Sequence, residues 1–147
     1  MSQLYRKSLA CLALLASMAS ATAQEAGSSW RLRLMDTEHQ TKADATLQFT
    51  DEAVRFCMRG KWKRVTVVAE EGGDSAFFPL GPALAYRVEH GVVTMASLAR
   101  CNPYFLLSAS SAAEDIHGSY RVVSTGRSKK LGLFTMNPVL LPGSKAP

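Results

Sequence analysis

The stretch CMRGKWKR, residues 57 to 64, places a cysteine, a tryptophan and four cations in eight positions. Cations on either side of an aromatic ring suit an anionic surface, and a cysteine beside them offers either a thiol or half of a disulfide. The other residue types that do chemistry are scattered. His39, His90 and His117 show no H-x-x-x-H spacing, and no C-x-x-C occurs. Glycine-rich phosphate loops and a G-x-S-x-G elbow are missing. His117 and Ser119 in His117-Gly118-Ser119-Tyr120 resemble a nucleophile pair only superficially, because side chains at a strand start need not meet. Asp51-Glu52 and Glu70-Glu71 are adjacent acids that tend to point apart, and they read as solvated turn residues. The expectation is a protein that is not an enzyme, with no cofactor and no metal.

The elements that must position these residues begin after residue 23. Arg6 and Lys7 precede an apolar run from Leu9 to Met18, and small residues then lead to Ala21-Thr22-Ala23. That order is a secretory signal peptide, too short to remain as a membrane span. Cleavage after Ala23 leaves Gln24 to Pro147, 124 residues. It also removes Arg6 and Lys7 from the 17 Lys and Arg, leaving 15 against 12 acids, a net charge of +3. So mild a charge argues against a dedicated nucleic-acid binder. A single aromatic, Trp62, is likewise no stacking platform. Destination is the periplasm or the extracellular medium. Cys57 and Cys101 remain, and an even pair in an exported chain points to one disulfide, with a free catalytic cysteine as the sharper alternative.

The body, residues 24–136, reads as a single β domain, with 137–147 a loose, proline-rich tail. Candidate strands are Trp30–Met35, Ala45–Thr50, Ala53–Met58, Lys61–Ala69, Ala76–Leu80, Leu84–Glu89, Val92–Leu98, Tyr104–Ser108, Gly118–Ser124 and Leu131–Met136. Period-two alternation is clearest at Val54/Phe56/Met58 and Leu84/Tyr86/Val88. Arg59-Gly60, His90-Gly91, Asn102-Pro103 and Thr125-Gly126 supply turns between them. Ser110–Asp115 has the bracketing of one helical turn. About 8–10 short strands with short connections predict an all-β, small antiparallel up-and-down (meander) β-barrel or sandwich with one disulfide.

Alternating strand directions turn this list into a charge prediction. Arg59, Lys61, Arg100, Arg127, Lys129 and Lys130 fall at one end. Asp51, Glu52, Glu70, Glu71, Asp74, Glu89, Glu114 and Asp115 fall at the other. The arrangement depends on Ala76–Leu80 being a strand, and a Cys57–Cys101 bond supports it, because both cysteines then lie at the basic end. A basic rim of Arg59, Lys61, Lys63, Arg100, Arg127, Lys129 and Lys130 would meet an acidic protein surface or a small anionic ligand. The leading expectation is therefore an exported protein-binding module of the inhibitor or immunity type.

The segment HGSYRVVSTGRSKKLGLFTM, residues 117 to 136, resembles the closing hairpin of small barrels such as lipocalin-like and avidin-like carriers and bacterial protease inhibitors. That likeness is one of style and names no family. It implies the alternative, a carrier holding a small apolar ligand inside the barrel. Phe49, Phe56, Trp62, Tyr86, Tyr120 and Phe134 would line its chamber.

Overall fold

Apolar side chains at alternate positions of eight consecutive strands leave one arrangement that buries them all without an exposed sheet edge, a closed barrel. The computed structural model describes residues 26–112 and 115–139. Its strands are β1 (Ser29–Asp36), β2 (Thr41–Val54), β3 (Trp62–Glu71), β4 (Ala83–Glu89), β5 (Val92–Ser97), β6 (Tyr104–Ser110), β7 (Ile116–Ser124) and β8 (Arg127–Pro138). Each pairs antiparallel with its neighbour in sequence, and β8 returns to β1 from Trp30↔Pro138 to Asp36↔Gly132. The architecture is the expected all-β meander barrel, with no helix among the described residues. Residues 1–23, expected to be a signal peptide, and most of the expected tail lie outside them, as does part of the Ser110–Asp115 turn. Ser111 and Ala112 form a bend.

Local chemistry fixes the hairpins. His90-Gly91 and Thr125-Gly126 take positive φ at both positions (52° and 74°, 41° and 78°), the conformation whose twist matches antiparallel strands. Gly132 serves a different need. A Cβ there would lie 1.9 Å from the Met35 carbonyl oxygen, so only glycine lets β8 close on β1.

Two strands expected from sequence are absent, for separate reasons. Asp51 and Glu52 do not form a turn. They sit inside β2 and reach across to β3, Asp51 to Lys63 and Glu52 Oε2 to Arg64 Nε at 2.8 Å. The ladder tolerates them through a register shift between Phe49 and Ala53. Ala76–Leu80 is also not a strand. The Asp74 carbonyl accepts bonds from the amides of Phe77 and Phe78, and its carboxylate accepts those of Ala76 and Phe77. The coil this starts carries Phe78 and Leu80 into the barrel, where they are 1% and 2% exposed.

Those residues act as a stopper. Phe78 meets Tyr120 edge-on at 5.1 Å and Phe105 at 6.2 Å. The Tyr120 hydroxyl donates to the Phe77 carbonyl, and Ser97 Oγ donates to the Pro79 carbonyl at 2.6 Å. Burial raises the Tyr120 pKa, which keeps it a neutral donor. Phe49 packs against Tyr86 at 4.8 Å and against Trp30 at 6.5 Å. Of the aromatic side chains expected to line a chamber, Phe49, Tyr86, Tyr120 and Phe134 thus belong to the packed barrel core.

On the outside of β1 and β2, Asp44 joins Arg31 (2.8 Å) and Arg33 (3.1 Å), and Arg31 also reaches Glu71. Burial alone would raise the Asp44 pKa, but hydrogen bonds from Arg31 and Arg33 outweigh it and hold it below the usual carboxylate range. Asp36 is lowered as well, first by the Gln40 backbone amide. Both folded pKa values lie below the unfolded ones, so both groups stabilise the fold above the ordinary carboxylate range. That contribution disappears as pH falls through the folded values. Denaturant midpoints should therefore be flat from pH 7 down to about 5 and fall below about 4. In Asp44→Asn the acid limb should flatten. Truncating the stopper, Phe78→Ala, should cost about 3–5 kcal/mol in urea unfolding.

Candidate functional site

The segment between β2 and β3 is where the opening stretch lies, and it forms a strap. Trp62, Arg64 and Thr66 face outward on β3, alternating with the inward Val65 and Val67. Trp62 is nonetheless 3% exposed, because a second apolar cluster covers the outer wall. Ala85 and Ala96 form its floor, and Phe56, Met58, Leu98 and Leu106 close over them. Phe56 lies edge-on to Trp62 at 4.9 Å and to Tyr104 at 6.2 Å. Trp62 Nε1 donates to the Met58 carbonyl at 3.1 Å, and the Arg87 guanidinium stacks 4.6 Å from the indole. Arg87 Nη1 also donates to the Arg59 carbonyl at 3.1 Å. Trp62 and Phe56 therefore belong to an outer core and not to a ligand chamber.

The strap ends in the disulfide, Cys57–Cys101, with Cα atoms 5.7 Å apart. This pairing was expected, but its geometry was not. Strand directions put the β2–β3 connection at one end of the barrel and the β5–β6 connection, which holds Cys101, at the other. The bond forms because residues 55–61 lie along the outer wall across β4, β5 and β6. Its existence is therefore no evidence for a strand at Ala76–Leu80.

The two extra strands of the sequence reading offset each other, so connections after Ala83 lie at the ends assigned to them. Only the middle of the chain changes sides. Arg59 and Lys61 start from the end opposite Arg100, Arg127, Lys129 and Lys130, and Glu70, Glu71 and Asp74 join those cations. Charge is thus not segregated end from end. At the shared end it divides laterally, with acids on the β1–β2 and β3–β4 connections and cations on the β5–β6 and β7–β8 connections.

Pairing separates the cations further. Arg31, Arg33, Lys42, Lys63, Arg64 and Arg87 each contact a carboxylate. Lys63, one of the expected rim residues, is committed to Asp51, whose hydrogen bond raises its pKa. Arg55, Arg59, Lys61, Arg100, Arg121, Arg127, Lys129 and Lys130 are exposed and form no ion pair among the described residues. Arg121 stands directly opposite Lys130 in the β7–β8 ladder, a like-charge juxtaposition that costs stability. Sequence reading passed over Arg121; the one-residue bulge at Leu131, which sets its partner, was the hidden variable. Two links join strap and hairpin into one surface: the disulfide ties Cys57 to Cys101, and Ser124 Oγ lies 3.4 Å from Asn102 Oδ1.

His117 and Ser119 share an outward face of β7 and line one surface groove with His39, while His90 sits in the β4–β5 turn. No group of three His, Cys, Asp or Glu side chains suited to a metal ion occurs among the described residues. Comparison with protein-family models, curated proteins and solved structures finds no match.

The disulfide closes a loop with a sequence separation of 44. Replacing both cysteines by serine should cost about 3–4 kcal/mol in equilibrium unfolding. It should also increase amide exchange at residues 55–61 beyond that at β1 and β2.

Proposed function

We propose that this is an exported, non-enzymatic protein-binding module of the inhibitor or immunity type. It docks an acidic partner surface through the cations around the β5–β6 connection and the β7–β8 hairpin. The observation that supports this reading is selective neutralisation. Six cations elsewhere on the barrel have carboxylate partners, whereas Arg100, Arg121, Arg127, Lys129 and Lys130 stand together without one among the described residues. Exposed ion pairs add little stability, so leaving these cations free costs the fold little. Their shared field raises the association rate with an opposite charge. Arg59 and Lys61 extend the surface along the strap. Lys63 does not take part, being held by Asp51.

A filled interior supports docking on the outer surface over carriage of a ligand inside. On this reading the N-terminal residues 1–23 act as a signal peptide and the encounter takes place in the periplasm or outside the cell. The same field would attract a small anionic ligand, and size separates the two classes: a protein partner buries several of these cations at once, a small anion one or two.

Mature Gln24–Pro147 should retain an acidic protein from envelope extract or culture fluid. Charge reversal at Lys129→Glu/Lys130→Glu should slow association roughly tenfold at low ionic strength, with the difference shrinking above about 0.3 M salt. An unchanged association rate would remove the basic hairpin from the account.

A further inference from the structure

Cysteine is among the residue types most often fully buried, yet both halves of the Cys57–Cys101 disulfide are exposed. The strap shows why. Arg55, Cys57 and Arg59 are exposed, and the intervening Phe56 and Met58 are half-buried against the outer wall. Cys57 thus lies on the solvent side of the strap, between two arginines. Around Cys101, Ala99, Arg100 and Asn102 are exposed as well. Arg55, Arg59 and Arg100 form no ion pair among the described residues. Residues 55–61 belong to no strand, so the cover over Trp62 is held by few contacts besides the disulfide. These are the bonds to the Met58 and Arg59 carbonyls, both 3.1 Å, and the Phe56 ring against Trp62 and Tyr104. The barrel beneath is closed by β8 on β1 and filled by Phe78 and Leu80, neither of which involves the strap.

We propose that Cys57–Cys101 is a site of thiol–disulfide exchange with a dithiol reductant, and that its reduction unlatches the strap and uncovers Trp62. A thiolate of the reductant attacks one cysteine sulfur, forms a mixed disulfide and displaces the other cysteine as a thiolate. The second thiol of the reductant then attacks the mixed disulfide, and the reductant departs as its own disulfide. Two electrons and two protons pass to the protein, which ends with two free thiols. Exposure suits this chemistry, since accessible disulfides are the labile ones. The arginines suit it too: they attract the anionic attacker and stabilise the thiolate that leaves. With the covalent tie gone, residues 55–61 keep only the contacts named above. Their release bares an apolar wall of Trp62, Ala85, Ala96, Leu98 and Leu106. Arg59 and Lys61 travel with the strap, so on the docking reading above the oxidised form presents the larger basic surface. The latch itself does not need that reading.

The test treats oxidised mature Gln24–Pro147 with dithiothreitol in native buffer and counts thiols after acid quench and alkylation. Reduction should proceed in direct proportion to dithiothreitol, at a rate that about 1 M urea leaves unchanged. Arg55→Gln/Arg59→Gln/Arg100→Gln should slow it roughly fivefold at low ionic strength, and by less at about 0.3 M salt. Acrylamide quenching reads the latch. The two tryptophans, Trp30 at 4% and Trp62 at 3% exposure, should both be shielded in the oxidised protein. After reduction one should become accessible, and Trp62→Phe should lack that gain. Amide exchange should rise at residues 55–61 and stay slow in β1 and β8, which separates unlatching from unfolding. A rate that saturates with dithiothreitol and climbs with urea would place reduction in the unfolded chain and overturn the exchange site. Reduction that leaves both tryptophans shielded would overturn the latch. No partner enters these measurements, so either failure leaves the docking reading standing.

Discussion

The contact on which the outer surface depends is the burial of Trp62 against the outside of its own barrel. A barrel wall normally has one dry face and one wet face. Here β4 and β5 place Ala85 and Ala96 outward, both fully buried, and these small side chains leave room for a strap with large ones. Phe56 and Met58 fill that room, Arg87 seals the indole, and the disulfide fixes the far end. The wall between β3 and β6 is thereby dry on both sides. Cross-linking ends that closed chain topology keeps apart, the strap determines which cations become neighbours.

The inside obeys the opposite logic. The β3–β4 connection does not cover the barrel mouth but enters it, and Phe78 and Leu80 complete a core that the strand side chains leave open. The hydrogen bonds from Tyr120 and Ser97 to carbonyls of that connection satisfy backbone groups that would otherwise be buried without partners. A filled interior and a doubly covered wall leave recognition to surfaces outside the barrel. The unpaired cations around the β5–β6 connection and the β7–β8 hairpin form one such surface.

Much of this was legible in the sequence because it rests on local rules. Alternation at Leu84/Tyr86/Val88, and turns at His90-Gly91 and Thr125-Gly126, gave β4 to β7 to within two residues, whereas β8 begins four residues earlier than expected, at Arg127 and not Leu131. The two cysteines announced their bond. What sequence could not show were contacts that depend on what lies across a strand. Asp51 and Glu52 look like a turn until Lys63 and Arg64 stand opposite them. Phe78 and Leu80 alternate as a strand would, yet their spacing is that of a coil started by Asp74 and interrupted by Pro79. A signal for the outer core was present in β4, where Ala83 and Ala85 put apolar residues on the face that should be polar, the pattern of a strand covered on both sides. The basic residues were correctly chosen as types, but pairing removed Lys63 and a bulge added Arg121.

Mapping the bound partner onto the barrel tests the central claim most directly. Amide chemical shifts of isotope-labelled mature protein, titrated with whatever acidic protein it captures, report every residue at once. The account predicts that perturbations gather at residues 99–102 and 121–130, extend into 57–61, and leave the Arg31–Asp44–Arg33 face of β1 and β2 unchanged. Perturbations centred on that paired face, or on the buried residues around Phe49 and Tyr120, would contradict it.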